Sequence, residues 1–283
     1  MRITAPAKIN LSLDILGRRP DGYHDLVSVV TAVDLCDELT VDQRPEPGLD
    51  LTCTDSRVPS DRSNLVWRAV ELLARRYGIN PAIRLDLAKR IPPGAGLGGG
   101  SSDAAAALWL LVRRWHLQPS LAELLAMAAD LGSDVPFFLQ CGTALITGRG
   151  EHVQPLPYEP PGLVLLIMPP FQVSTAEVYG AFRPSDAQAR QPEAWWKKRP
   201  TSVHQLSDCC YNTLRPAAER VCPALASIRS RLERLGLRAV HLSGSGSVMF
   251  ALLADRQEAQ QWADRIAKKL QLATYVGHYF GRR

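Results

Sequence analysis

The 283-residue sequence lacks several patterns that would assign it to a common class of protein. No apolar run approaches the roughly 20 residues that a membrane-spanning helix needs, and no stretch has the pattern of a signal peptide. We therefore expect a cytoplasmic protein with no membrane partner. The six cysteines show neither C-x-x-C nor paired zinc spacing. This favours reduced thiols over a zinc site or a disulfide framework.

Positive charge is present but not concentrated. The formal net charge is +5, and the basic clusters Arg18–Arg19, Lys197–Arg199 and Arg282–Arg283 are short. A nucleic-acid binder would be expected to gather such charge on one surface with interleaved aromatic residues, so we expect no nucleic-acid partner. The composition, 46% hydrophobic and 22% charged, is that of a globular protein. The length suits one large or two ordinary domains.

The most unusual stretch runs from Pro92 to Leu108 and reads PPGAGLGGGSSDAAAAL. Five glycines fall within seven positions, and two serines and an aspartate then open an apolar stripe with helical spacing. Glycines permit positive φ and close approach of a ligand to the backbone. A helix N-terminus adds free N–H groups and the positive end of the helix dipole. The stretch therefore predicts a phosphate site rather than a flexible turn.

Two familiar types of phosphate loop do not fit this stretch. The letters G-x-G-x-x-G occur in it, but two prolines separate them from the predicted strand Ile83–Lys89. A dinucleotide-binding fold needs that strand to lead straight into the loop. In the Walker pattern a lysine would stand at Gly100. The sequence thus predicts a third kind of phosphate loop.

Hydrophobic periodicity predicts a β-rich first domain. The alternation from Ile9 to Ile15 is typical of a half-buried strand, with Lys8 and Asn10 on its polar face. Leu26–Val33 and Leu39–Val41 read as two further strands. A proline-rich patch over residues 155–161 marks the predicted boundary between domain 1–156 and domain 157–283.

The second domain reads as strand, helix, strand, strand, helix and strand, which predicts a small α+β sandwich. We expect an exposed loop over Pro184–Pro200, in which the purpose of Trp195 and Trp196 is open. Ser243–Ser247 is a second glycine-rich loop, between two predicted strands. The whole chain is therefore predicted to be α+β with two domains.

Several residues could carry chemistry, and each has a plain structural alternative. Lys8 could extend from a strand edge into solvent, and Asp134 could cap the turn that follows it. His24 could be an ordinary loop histidine, and Ser243–Ser247 a tight hairpin. Together, however, a phosphate loop, a lysine and an aspartate are the minimum set for phosphoryl transfer. The cation holds phosphates and the carboxylate accepts the proton of the attacking hydroxyl.

Three segments resemble, in the same order, the motifs of the GHMP kinases, which include galactokinase, homoserine kinase and mevalonate kinase. They are Pro6–Leu11 (PAKINL), Pro92–Ser102 and Leu242–Ser247 (LSGSGS). The resemblance implies a two-domain α+β fold, with an N-terminal domain like ribosomal protein S5 and a C-terminal ferredoxin-like α/β sandwich. It also implies ATP and Mg²⁺ as cofactors, and it is weakest over Pro184–Pro200.

The resemblance also implies roles for individual residues. Lys8 and Asp134 match the catalytic pair, with Asp134 as the base and Lys8 orienting it and stabilising charge on the transferred group. The ATP phosphates would be held by Pro92, Pro93, Gly94, Ala95, Gly96, Leu97, Gly98, Gly99, Gly100, Ser101 and Ser102. The substrate would be held by Asn10, Tyr23, His24, Thr175, Tyr179, Gly244 and Ser245. Ser102 could also be a magnesium ligand, but the metal ligands are not identified.

The segments Asp21–His24 and Gly132–Phe138 narrow the resemblance further. They imply a kinase of isoprenoid precursor biosynthesis that phosphorylates a hydroxyl group on a small substrate linked to cytidine diphosphate. Tyr23 and His24 would hold its cytosine by stacking and hydrogen bonding. We expect a monomer or a homodimer.

Three alternatives remain open. The nearest is another GHMP kinase, such as a homoserine or mevalonate kinase, in which the cytosine-binding residues would have no purpose. The second is a nucleotide-binding regulatory module without catalysis, against which the presence of both Lys8 and Asp134 argues. A Rossmann oxidoreductase is the least supported.

Overall fold

The computed structural model describes residues 1–187 and 199–282. Trp195 and Trp196 lie outside the described residues. The described strands are β1 Arg2–Arg18, β2 His24–Gln43, β3 Gly48–Cys53, β4 Ala82–Ala88, β5 Thr143–Gly148, β6 His152–Leu156, β7 Leu163–Met168, β8 Tyr211–Asn212, β9 His241–Leu242, β10 Met249–Leu253 and β11 Ala273–Gly277. The described helices are α1 Leu65–Tyr77, α2 Gly99–Arg114, α3 Leu121–Leu131, α4 Val135–Gln140, α5 Thr175–Gly180, α6 Val203–Cys209, α7 Arg215–Val221, α8 Pro223–Arg234 and α9 Arg256–Leu270, with a 3₁₀ turn at Pro184–Asp186.

The larger sheet is built around β2, which is 20 residues long. It pairs with β1 along most of its length, with β4 at one end and with β5 at the other, always antiparallel. The strand order is β3-β4-β2-β1-β8, and β5 and β6 continue from β2. We predicted two shorter strands here, but no glycine or proline interrupts residues 24–43 and the strand runs through.

β1 is covered on both sides, unlike the half-buried strand that its alternation predicts. Every residue from 5 to 15 is buried. Ile9 and Leu11 belong to one apolar cluster with Val164 of β7 and Phe250 of β10. The opposite, polar side of the strand lines a cleft. A register shift between Asn10 and Ser12 breaks the predicted alternation, so Leu13 lines the cleft on the same side as Lys8 and Asn10.

α2 packs closely on the larger sheet because its middle is made of small residues. Ala104, Ala105, Ala106 and Ala107 are fully buried. The helix begins at Gly99, and the residue before it, Gly98, has φ +70° and is its N-cap. The glycine-rich loop therefore feeds directly into the helix N-terminus, as the sequence predicts.

α3 and α4 follow each other with only a short break. A capping box between Ser120 and Glu123 starts α3, and Gly132 ends it. α4 starts at Val135, which places Asp134 at the N-cap position of α4. A residue between two buried helix ends is held in a fixed position, and this fixes Asp134 at the mouth of the cleft.

The smaller sheet has the order β11-β7-β10-β9 and is antiparallel. α8 and α9 bury Ile228 and Ile266 in the same core, which confirms the predicted α+β class. The second half also supplies β8, which pairs parallel to β1 in the larger sheet. The boundary at residues 156/157 stays a prediction. Within residues 1–187 and 199–282, no helix is long and apolar enough to cross a bilayer.

The two glycine-rich loops touch each other and join the halves of the chain. Ser243 Oγ donates a hydrogen bond to the Gly96 carbonyl at 2.9 Å, and the Val248 N–H donates to the Ala95 carbonyl at 3.1 Å. Gly96 has φ +79°, and a Cβ at this position would lie 2.3 Å from the Ser243 carbonyl oxygen. Only glycine allows this approach without displacing one of the loops.

Replacing Gly96 with Ala should therefore destabilise the protein. Left-handed backbone strain and the overlap with Ser243 together should cost about 3 kcal/mol, which lowers Tm by roughly 5–10 °C in a protein of this size. Gly100→Ala is the matched control, because a Cβ there meets nothing within 4 Å. Thermal unfolding of both variants measures the difference. Equal Tm values for the two would show that the loops are not in contact.

Candidate active site

A cleft of about 870 Å³ lies between the two halves of the chain. Its lining comes from the polar side of β1, the glycine-rich loop, the residues around Asp134, helix α5 and the second glycine-rich loop. Contacts between neighbouring residues show the sequence in which these parts follow one another along the cleft. Lys8 lies beside Gly98 and Asp134, and Asp134 lies near Tyr179, which contacts His24. The lysine and the aspartate therefore lie between the glycine-rich loop and a group of aromatic side chains at the other end of the cleft. This group, which we call the aromatic end, consists of Tyr23, His24, Tyr179 and Phe182.

Lys8 is a buried cation with two polar contacts. Its side chain is 7% exposed, and Nζ donates a hydrogen bond to Asn10 Oδ1 at 2.6 Å. Nζ lies 3.8 Å from Asp134 Oδ2. Burial lowers the pKa of Lys8, and the negative charge of Asp134 partly opposes this. A desolvated ammonium group facing a cleft interacts strongly with any anion that enters.

A chain of hydrogen bonds fixes the orientation of the Asn10 amide. Asn10 Nδ2 donates to Ser28 Oγ at 2.8 Å, and the Ser28 hydroxyl donates to the Ser12 carbonyl at 2.5 Å. Because the amide nitrogen faces Ser28, the amide oxygen must face Lys8. Asn10, predicted as a substrate contact, lines the cleft, but its amide is already engaged in holding the lysine.

The Asp134 side chain does not cap the helix that follows it. Asp134 occupies the N-cap position of α4 but makes no side-chain capping hydrogen bond. Its side chain is 41% exposed, and it lines the cleft. The structural alternative, that Asp134 caps the following turn, is therefore wrong. One carboxylate oxygen faces Lys8, and the group stays accessible to a substrate hydroxyl.

Most of the predicted phosphate contacts line the cleft, and two do not. Those that do are Pro92, Pro93, Gly94, Ala95, Gly96, Gly98, Gly99, Gly100 and Ser101. Leu97 and Ser102 are buried behind them. The Leu97 carbonyl accepts a hydrogen bond from the Lys8 N–H at 2.9 Å. Leu97 therefore anchors the loop to β1, and a direct contact of its side chain with phosphate is not supported.

Gly98 is the point where this loop passes the lysine. It has φ +70°, and a Cβ on it would lie 2.8 Å from the Phe138 ring and 3.1 Å from Lys8 Cγ. The absent side chain thus lets α2 begin directly beside Lys8. This brings the free N–H groups of the helix start and the ammonium group to the same part of the cleft.

The aromatic end contains three of the predicted substrate residues. The ring centroids of His24 and Tyr179 are 5.3 Å apart, and Phe182 lies edge-on to His24 at 6.2 Å. Tyr23 is 51% exposed, and the Arg149 guanidinium lies over its ring, 5.1 Å from the centroid. Burial and the charge of Arg18 lower the pKa of His24. The imidazole is thus neutral near pH 7 and offers one donor and one acceptor.

The second glycine-rich loop supplies the remaining wall. Thr175 Oγ1 and Ser245 Oγ are 2.9 Å apart and share a hydrogen bond. A Cβ on Gly244 would lie 3.5 Å from Lys8 Nζ, so the loop backbone passes close to the lysine. Asn212 Nδ2 donates to the carbonyls of Leu242 and Gly244 at 2.9 and 2.7 Å. Thr175, Gly244 and Ser245 all line the cleft, as predicted from the resemblance.

Sequence reasoning missed four residues that shape this site. Arg18, Arg149 and Phe182 line the cleft, and Asn212 holds the second loop. The sequence Gly148–Glu151 (GRGE) is typical of a turn, and the arginine between its two glycines is the signal that could have identified Arg149. The other three have no local pattern, because only the fold of the chain brings them to the cleft.

The described residues contain no ready-made cluster of acidic, histidine and cysteine side chains that would identify a metal site. Within residues 1–187 and 199–282, no group of three or more His, Cys, Asp and Glu residues could hold a metal ion. Ser102 Oγ is buried and has no hydrogen-bond partner in the same part of the chain, and Ser102 does not line the cleft. Mg²⁺ in a nucleotide site is usually held by one or two protein ligands together with the phosphates, so this observation assigns no protein ligand to the metal.

Two family models match the chain and define its class. The model of the GHMP kinases N terminal domain matches residues 64–142, and that of the GHMP kinases C terminal domain matches residues 198–272. The first match contains the glycine-rich loop and Asp134, and the second contains Ser243–Ser247. The chain is thus a small-molecule kinase, for which ATP is the implied phosphoryl donor.

Similar proteins narrow the class. The 4-diphosphocytidyl-2-C-methyl-D-erythritol kinase of Pelotomaculum thermopropionicum is 44% identical over 268 residues, covering 92% of each chain. The Shouchella clausii protein of the same name is 40% identical over 252 residues, covering 89% of this chain and 85% of its own. A crystal structure of 4-(cytidine 5'-diphospho)-2C-methyl-D-erythritol kinase matches with TM-score 0.84 and 37% identity, over 99% of this chain and 100% of the other. This chain belongs to the 4-diphosphocytidyl-2-C-methyl-D-erythritol kinase family.

The buried Lys8 predicts a pH-dependent stability. Because the folded protein lowers the pKa of Lys8, the unfolded chain holds more protons between that pKa and 10.5, and the free energy of unfolding rises with pH in this window. In the Lys8→Met variant, the contribution of Lys8 to this rise in the free energy of unfolding is absent. Chemical denaturation between pH 7.5 and 10 should show the stability of the variant, relative to the parent protein, falling as pH increases.

The exposed Lys268→Met variant is the control for this experiment. Its stability relative to the parent protein should not change with pH in the same range. If Lys8→Met behaved in the same way, Lys8 would not be desolvated in the folded protein.

Proposed function

We propose that this kinase transfers the γ-phosphoryl group of ATP to a hydroxyl group of 4-diphosphocytidyl-2-C-methyl-D-erythritol, giving the 2-phosphate and ADP. The observation that carries the proposal is the pair of Lys8 and Asp134, 3.8 Å apart, on the cleft wall between a glycine-rich loop and an aromatic end. The names of the relatives agree with this substrate. The reaction is a step in isoprenoid precursor biosynthesis.

Asp134 is the proposed general base. Its carboxylate is accessible in the cleft and takes the proton from the acceptor hydroxyl. The hydroxyl oxygen then forms a bond to the γ-phosphorus, the bond from that phosphorus to the β–γ bridging oxygen breaks, and ADP leaves with the electron pair. The proton remains on Asp134 until the products depart.

Lys8 is the proposed electrostatic partner of this step. Its ammonium group is desolvated and is held by Asn10, so it can stabilise the charge on the transferred phosphoryl group without having to reorganise. Its distance of 3.8 Å from Asp134 is too long for a strong hydrogen bond, so the carboxylate stays available as a base.

The glycine-rich loop and the start of α2 are the proposed phosphate cradle. Gly94, Gly96 and Gly98 have positive φ, which turns successive N–H groups toward one side. The free N–H groups at the start of α2 and the positive end of its dipole add to this. Mg²⁺ would enter as the complex with the ATP phosphates, where it neutralises their charge. No protein ligand of the metal is assigned.

The aromatic end is the proposed cytosine site. Tyr23, Tyr179 and Phe182 offer ring faces, and the neutral imidazole of His24 offers a hydrogen bond to the base edge. The guanidinium of Arg149 lies over Tyr23, and Gly150 packs against Asp134. Arg149 therefore lies between the proposed cytosine site and the proposed base, where the diphosphate of the substrate would pass.

A turnover assay tests this proposal. Purified protein with Mg²⁺ and ATP should release ADP with 4-diphosphocytidyl-2-C-methyl-D-erythritol, and should do so at background rate with mevalonate or homoserine. Mevalonate and homoserine contain no aromatic ring that the aromatic end could bind. Turnover with mevalonate or homoserine would keep the kinase class and overturn the substrate. ATP binding without turnover on any of the three would favour the regulatory module.

A further inference from the structure

Three buried charged residues lie directly behind the phosphate loop. They are Asp37 on β2, Lys89 just after β4 and Asp103 in α2. Lys89 Nζ hydrogen-bonds to Asp37 Oδ2, and to Asp103 Oδ2 at 2.7 Å. Their side chains are 0%, 4% and 3% exposed, respectively. We call this group the base cluster because it lies at the base of the phosphate loop; the name does not refer to the general base Asp134. The two carboxyl groups of the cluster share one ammonium group.

The base cluster holds both ends of the phosphate loop. Asp37 Oδ1 accepts hydrogen bonds from the N–H groups of Arg90 at 2.5 Å and Ile91 at 2.8 Å, the two residues before Pro92. Asp103 lies in α2, just after the loop. Through Lys89, the start and the end of the loop are therefore joined to one point on β2, the central strand of the larger sheet.

The base cluster also places charge under the proposed phosphate site. A Cβ on Gly99, the first residue of α2, would lie 3.2 Å from Lys89 Nζ. The ammonium group therefore lies beneath the helix start. Asp103 is close to the same helix end, and an anion there competes with bound phosphates for the positive end of the dipole.

Asp103 is not fully neutralised by its neighbours. Its Oδ1 is buried and makes no hydrogen bond within residues 1–187 and 199–282. Lys89 is shared with Asp37, so the ionised cluster has one excess negative charge. Burial raises the pKa of Asp103, and the nearby negative charge of Asp37 contributes. A group with these properties interacts with a polyanion over several ångströms of protein interior.

We infer that Asp37, Lys89 and Asp103 are positioning residues for the phosphate loop, and that the Asp103 carboxylate weakens the binding of the phosphates which the loop holds. This inference rests on the proposed function, in which the loop binds ATP. The positive charge of Lys89 favours the binding of a polyanion by the loop, and the negative charge of Asp103 limits the affinity of the loop for the ADP product. A kinase must release ADP in every cycle, and release of product often limits turnover.

Calorimetric binding of ADP and of adenosine at pH 8 tests the inference. Asp103→Asn keeps the shape and an oxygen acceptor for Lys89 but removes the charge. Its Kd for ADP should fall about tenfold, as expected for one charge near the phosphates, while its Kd for adenosine stays unchanged. Asp42→Asn, at an exposed position of β2, has the same change in net charge and should leave both constants within about twofold.

A second variant separates the effect of the Lys89 cation on ADP binding from that of the Asp103 carboxylate. Lys89→Met alone would leave two buried carboxylates without a neutralising cation, so it is combined with Asp103→Asn. Asp37 still accepts the N–H groups of Arg90 and Ile91 in this double variant. Relative to Asp103→Asn, the double variant should bind ADP about tenfold more weakly and adenosine equally well.

The ratio of the affinities for ADP and adenosine distinguishes two roles of the base cluster: an effect on phosphate binding by the loop, and support of the fold alone. If the base cluster only supported the fold, Tm would change in these variants and the ratio would not. An unchanged or increased Kd for ADP in Asp103→Asn would overturn the inference. Turnover of the parent protein with the cytidyl substrate reports on the proposed function separately, because the ADP comparison does not involve that substrate.

Discussion

Burial of the Lys8 ammonium group is the constraint on which the rest of the site depends. A desolvated cation is unfavourable unless its surroundings compensate it. Here Asn10 accepts one hydrogen bond, Asp134 supplies the opposite charge, and Ser28 fixes the Asn10 amide. The phosphate loop joins the arrangement through the Leu97 carbonyl. Moving any one of these groups would leave a polar group unpaired or the lysine uncompensated.

The second half of the chain completes this environment rather than adding a separate site. Its loop packs against Gly96 and passes close to Lys8 at Gly244. Its sheet buries the apolar side of β1, which turns the polar side of the strand toward the cleft. Lys8 is thus approached by Gly244 of the second half as well as by Asn10 and Asp134 of the first.

Much of the site could be predicted from local sequence, and the rest depends on contacts between distant residues. Five glycines before a helical stripe predict the glycine-rich loop that leads into α2, and the resemblance adds Lys8, Asp134 and the proposed cytosine-binding residues. Alternation in β1 separates its two faces only as far as Leu11, because the register shift after Asn10, which brings Leu13 to the cleft, has no signal in the sequence. The base cluster could not be predicted, because Asp37 and Lys89 are 52 residues apart. Phe182 and Arg18 likewise reach the cleft only through the fold.

The measurement that tests the central claim most directly is turnover and ATP binding of Asp134→Ala. If Asp134 is the base, kcat should fall by about a hundredfold to ten-thousandfold, the range for loss of general base catalysis. The Kd for ATP should stay within about twofold, because the loop that holds the phosphates is separate from the carboxylate. A parallel loss of ATP binding and turnover, or near-normal turnover, would contradict the account and leave Asp134 with a structural role.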